Sequence, residues 1–215
     1  MSANLAETIG FVEFGTAVCA GAIASLSEDA YGAPSRLPGW TRRHVVAHLA
    51  ANAEAIGRLL HWARTGERTP MYSSPEQRAS DIEAGATRSG AELTAWFDES
   101  AAALADSFAA MSDDAWRTEV VTAQGRTVPA SETPWMRSRE VFVHAVDLGT
   151  GLTFADLPAP FLEALRDEIL ARRTAEQLPE LVGALPAVTA YLTGRGTDGV
   201  ATADGRPAPA LSPWL

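Results

Sequence analysis

The segment Trp135-Met-Arg-Ser-Arg-Glu140-Val-Phe-Val-His144-Ala-Val-Asp147-Leu148 constrains the fold more than any other part of the chain. Neither glycine nor proline interrupts it, and its apolar residues recur at helical spacing, so it reads as a helix with a buried face. Glu140 and His144 are four residues apart. At about 100° per residue they lie one turn apart on the same face, with Met136, Val141, Ala145 and Leu148 on or beside it. Two ionisable groups turned toward a core are costly unless something satisfies them, and a metal ion would satisfy both.

The rest of the chain must supply the core that such a helix packs into. Its 215 residues are 47% hydrophobic, enough for a substantial interior and too apolar for general disorder. Abundant Ala and Leu with few β-branched runs favour helices. No run reads as a membrane span and no basic flank precedes an apolar signal core, so a cytoplasmic protein is expected. The net charge of −10 argues against nucleic acid and anionic membranes as partners. An anionic substrate would have to be drawn in by local arginines. Cys19 stands alone, which excludes a disulfide framework and a Cys-rich zinc site. Its apolar neighbours mark it as a small core residue, not a nucleophile.

Helical periodicity runs from about Leu5 to Leu26 and ends in the turn-rich segment Tyr31 to Gly39. Thr41 then reads as an N-cap, with Trp40 and Val45 at the spacing of a hydrophobic staple, for a helix from Arg42 to about Ala63. A loop from Thr65 to Pro75 precedes a long helix, Glu76 to Met111, with breakpoints at Gly85 or Gly90. Glu119 to Val128 reads as a short hairpin about Gln124-Gly125. The next helix begins after Pro129, with Ser131 as its cap, and ends at Gly149 and Gly151. Four helices of this length favour a four-helix bundle. Beyond it, the pattern predicts a helix from Pro160 to about Ala175, an apolar run at Leu181–Ala184, a helix near Pro186–Thr193 and a turn into a short strand at Val200. The Pro-rich end, Pro207 to Pro213, reads as irregular.

The remaining histidines are His44, His48 and His61. His48 shares a face with Val45, Leu49 and Asn52, the side that should pack inward. His44 sits in the first turn beside Arg42 and Arg43, and His61 is rotated from His48 by about 140°. One reading is a metal held by His48, Glu140 and His144, with an open coordination position of the kind catalytic zinc keeps. The other is a satisfied core histidine, with Glu140 paired to Arg137 or Arg139. Spacing alone leaves both standing.

Longer motifs carry a family likeness. Gly39-Trp-Thr-Arg-Arg-His44-Val-Val-Ala-His48, His61-Trp-Ala-Arg-Thr-Gly-Glu-Arg-Thr-Pro-Met-Tyr72, Thr122 to Glu132 running on into Trp135–Leu148, and Gly194-Arg-Gly-Thr-Asp-Gly-Val200 together span nearly the whole chain. The chain resembles the mycothiol-dependent maleylpyruvate isomerases. The resemblance implies a mainly α protein: a DinB-like metal-binding four-helix bundle over residues 1–155, then a small α/β C-terminal domain over 156–215. Between Arg173 and Leu181 the chain reads as about a turn and a strand shorter than the family pattern, which would trim that domain.

The resemblance assigns His48, Glu140 and His144 as zinc ligands and Arg195 as the catalytic arginine. It implies mycothiol as the thiol cofactor and conversion of maleylpyruvate, a small dicarboxylate, to fumarylpyruvate. Adding a thiolate to the cis double bond makes that bond transiently single, and a metal would keep the thiol ionised at neutral pH. Arg195 would then hold a carboxylate or the developing oxyanion. Arg137, Arg139 and Arg78 are weaker candidates for anion contacts, better read as exposed ion pairs. Asp147, about one turn past His144, would orient that imidazole or pair locally. Two other functions fit the same scaffold: a mycothiol S-transferase that consumes the thiol, and a non-catalytic metal or ligand sensor.

Overall fold

A computed structural model describes residues 4–173, 178–211 and Trp214. Two compact units emerge, one of Asn4–Gly151 and one beginning at Leu152.

The first unit carries α1 (Leu5–Ala24), a single turn α2 (Glu28–Tyr31), α3 (Arg42–Thr65), α4 (Pro75–Gly85), α5 (Gly90–Ala109), a short α6 (Asp113–Arg117), the strands β1 (Glu119–Val121) and β2 (Thr127–Pro129), and α7 (Thr133–Asp147). The four long helices form a closed ring in which α1 packs on α7, α7 on α3, α3 on α5 and α5 on α1. This is the bundle the sequence predicts.

Local chemistry explains most boundaries. Thr41 caps α3, and His44 returns the favour: Nδ1 lies 3.2 Å from the Thr41 backbone N–H and 2.7 Å from its hydroxyl. The expected long helix after Pro75 is two helices. Ser89 and Glu92 form a capping box that starts α5 afresh after α4 ends. The hairpin forms with β1 antiparallel to β2, Val120 opposite Val128, and Gly125 in the left-handed region at φ 76°. Ser131 does not cap α7. It lies inside a 3-10 turn, Ala130–Glu132, that runs straight into the helix at Thr133 with Pro134 in its first turn.

α1 is 20 residues long with a mean hydropathy of 1.3, so by length and composition it passes as a membrane span, against the sequence expectation. Within the bundle its inward face is packed: Val12, Cys19 and Ile23 are buried, and Phe14 and Phe142 rings sit 6.1 Å apart across the α1–α7 contact. Gly15 makes that contact close. A Cβ there would lie 2.7 Å from Val141 Cγ2.

The second unit holds a 3-10 turn (Phe154–Asp156), α8 (Ala159–Arg172), β3 (Leu181–Val182), α9 (Leu185–Leu192) and β4 (Ala201–Thr202). α8 packs on α9, and β3 pairs antiparallel with β4, Leu181 opposite Thr202. The expected end of α8 near Ala175 and the Pro213 end of the tail lie outside the described residues.

Candidate metal centre

Two helices carry the cluster, His48 from the second turn of α3 and Glu140 and His144 from the middle and last turn of α7. Arg42, in the first turn of α3, holds the two together. It donates from Nε to the Leu148 carbonyl at 2.7 Å and from Nη2 to the Gly149 carbonyl at 3.2 Å. The guanidinium thereby caps the C-terminus of α7, where a cation is favoured. The backbone adds a second tie, Arg36 N–H to the Asp147 carbonyl at 2.8 Å.

In this frame His48 Nε2 lies 2.9 Å and His144 Nε2 lies 3.2 Å from Glu140 Oε2. The two imidazoles meet edge to face, their centroids 4.9 Å apart. All three donor atoms lie within 4.8 Å of one another, and among the described residues this is the one cluster of three such side chains. Donors about 2.0–2.1 Å from a tetrahedral zinc would stand about 3.3 Å apart, so the spacing suits a cation with little adjustment. Glu140 pairs with both histidines. The other histidines are elsewhere: His44 serves the α3 cap, and exposed His61 faces Glu67 at 3.7 Å.

The protonation of the cluster follows from burial set against hydrogen bonding. Burial pushes the Glu140 carboxyl up, but hydrogen bonds from His144 and His48 outweigh it and hold Glu140 well below the usual carboxylate range. Burial lowers His48, against the pull of Glu140. Burial works the same way on His144, yet hydrogen bonds to Asp147 and Glu140 outweigh it and raise that imidazole. Asp147 is fully buried and receives His144 Nδ1–H at 2.8 Å. That bond keeps a proton on Nδ1 and turns Nε2 to the cluster, the usual outer support of a metal-bound histidine. In the metal-free protein the raised imidazole carries a proton on Nε2 as well and donates it to Glu140.

The arginines differ from the exposed ion pairs expected of them. Arg137 is completely buried and donates to the Leu49 carbonyl at 2.7 Å and Asn52 Oδ1 at 2.9 Å. Its Nε and Nη2 find no hydrogen-bond partner among the described residues, and burial lowers its pKa to about 10. Arg78, from α4, places Nη2 3.3 Å from His48 Nδ1 and its guanidinium 5.7 Å from the centre of the Tyr72 ring. Trp40 brings its ring within 5.6 Å of that of His48. Tyr72 and Trp40 stand inside the motifs quoted above, but nothing in their spacing marks them as neighbours of the cluster. Arg195 lies in the second unit, just after α9. Gly194, at φ 77°, donates to the Tyr191 carbonyl and Arg195 N–H to that of Ala190, a Schellman ending. The Arg195 Nη1 donates to the Thr193 carbonyl at 2.6 Å.

The family described as "Mycothiol maleylpyruvate isomerase N-terminal domain" matches residues 14–149. The chain belongs to this mycothiol maleylpyruvate isomerase family. A crystal structure of the mycothiol-dependent maleylpyruvate isomerase is 39% identical and superimposes with a TM-score of 0.91 over 97% of this chain and 98% of that one. A histidine-to-alanine mutant of that isomerase superimposes with a TM-score of 0.90 at the same identity and coverage. No curated protein matches the chain. The family match covers most of the bundle, from the middle of α1 onward, and all three members of the cluster. The structural match extends through the second unit as well.

Proposed function

We propose that the chain is a cytoplasmic, zinc- and mycothiol-dependent isomerase of maleylpyruvate. The observation that carries the proposal is the His48–Glu140–His144 cluster, whose donors are spaced for a cation in a chain 39% identical to an isomerase of that activity over 97% of its length. Together, zinc and mycothiol would supply a thiolate that adds to the cis double bond and later leaves, with rotation about a single bond in between.

The chain's own residues prepare that chemistry. His48, Glu140 and His144 would hold the cation through two neutral imidazoles and one carboxylate, leaving net positive charge and an open position. Asp147 keeps His144 in the ligating tautomer. Cys19 does not compete as the nucleophile: it is fully buried, and burial pushes its thiol up to about 12. The attacking thiol must therefore come from outside the chain. Arg195 is the proposed catalytic arginine, on the family resemblance, suited by its charge and fork geometry to a substrate carboxylate or oxyanion.

His48→Ala and Glu140→Ala should each lose bound zinc, measured by metal analysis, together with maleylpyruvate turnover. Turnover by a variant shown to be free of metal would refute the mechanism. An S-transferase would share the cluster, but no observation on this chain favours it over the isomerase.

A further inference from the structure

We propose that Arg78 is a carboxylate-binding residue of the metal centre, released from His48 when that histidine takes up its metal-ligating form. This deepens the isomerase proposal and rests on it for the identity of the substrate.

The inference starts from a conflict in hydrogen-bond roles. Arg78 Nη2 approaches His48 Nδ1 at 3.3 Å. An arginine N–H can only donate, so Nδ1 must accept and the proton of a neutral His48 sits on Nε2. That proton matches the 2.9 Å bond from Nε2 to Glu140. When His48 lends Nε2 to a cation, its proton must move to Nδ1. Nδ1–H and the guanidinium are then two donors face to face, and the Arg78 bond is lost. The neighbouring ligand behaves differently. His144 Nδ1 faces a carboxylate, Asp147, at 2.8 Å, and that partner suits the ligating tautomer.

Two further features say where a released Arg78 stays and what it would take. Its guanidinium lies 5.7 Å from the centre of the Tyr72 ring, while Arg58 flanks the same ring at 5.9 Å and is tied to the Met71 carbonyl at 2.9 Å. Tyr72 thus keeps the Arg78 head beside the cluster after the His48 bond breaks. The local charge also calls for anions. A dication with Glu140, Asp147, Arg78 and Arg137 sums to about +2, which one thiolate and one substrate carboxylate would neutralise. Arg78 is partly exposed, whereas Arg137 is completely buried, so Arg78 is the one of the two that an incoming carboxylate can meet.

The test uses the zinc-loaded protein, with maleate as a simple cis-dicarboxylate probe. Calorimetry on the wild type, Arg78→Met and Arg78→Lys should show maleate affinity reduced tenfold or more by Met and partly restored by Lys. Zinc affinity, measured by chelator competition, should stay within a few-fold of wild type or rise in Arg78→Met. With maleylpyruvate, KM should rise more than kcat falls. Unchanged maleate affinity in Arg78→Met, or no maleate binding by the wild type, would overturn the proposal. So would a tenfold loss of zinc affinity, which would make Arg78 a support for His48. Maleate binding that depends on Arg78, in a protein that fails to turn over maleylpyruvate, would uphold Arg78 and sink the isomerase proposal alone.

Discussion

At the scale of residues, the cluster holds ionisable groups in a core by letting each satisfy another. Glu140 stays ionised because two imidazoles donate to it, and His144 stays oriented because buried Asp147 accepts from it. This has a pH consequence for the metal-free protein. Glu140 is depressed on folding, so its contribution is present above the ordinary carboxylate pKa of about 4.3 and is lost as pH falls below it. His48, also depressed, loses its contribution on acidification from about pH 6.5 downward. His144, raised, works the other way and loses its contribution as pH rises through its folded value. Below about pH 5 the Glu140 effect should dominate. The melting temperature of metal-free protein should fall between pH 5 and 3.5, and less steeply in Glu140→Gln. Equal slopes would show that Glu140 is not held ionised by its neighbours.

At the scale of elements, the centre depends on how closely α7 is clamped between α1 and α3. Two glycines on α1 separate packing from helix propensity. Gly10 has nothing within 4 Å of an added Cβ, whereas Gly15 would drive one to 2.7 Å from Val141. Gly10→Ala should therefore raise stability by about 0.5–1 kcal/mol through propensity alone. Gly15→Ala should lower it by about 1–2 kcal/mol, as overpacking exceeds the same gain. Thermal or urea denaturation of the two variants checks the opposite signs, and stabilisation by both would contradict the close α1–α7 contact. Much of this level was legible in the sequence because it is periodic. Helical phase turned His48 inward and set Glu140 over His144. The Thr41 cap and the Gln124-Gly125 turn stood out as local chemistry. Apart from Ser131, what escaped was non-local. Ser131 has the right type for a cap, but Pro129 and Pro134 set up a 3-10 turn instead. The burial of Arg137 depends on the Leu49 carbonyl and Asn52, more than 80 residues away. Arg78 meets His48 only because α4 packs on α3.

At the scale of the whole molecule, an acidic chain with a net charge of −10 surrounds a centre that gathers arginines. Under the proposed function, the overall field would repel a dicarboxylate while a dication at the centre would favour it, so capture would depend on the centre and not on long-range steering. The family match ends at residue 149, and the likeness to solved isomerases continues through the second unit that carries Arg195. The chemistry itself is tested most directly by thiol balance. The zinc-loaded protein is given maleylpyruvate and a small, limiting amount of mycothiol, and both loss of maleylpyruvate and free thiol are followed. An isomerase converts many equivalents of maleylpyruvate per mycothiol, returns the thiol undiminished and stops when mycothiol is left out. Consumption of one mycothiol per maleylpyruvate, or undiminished turnover without mycothiol, would contradict it.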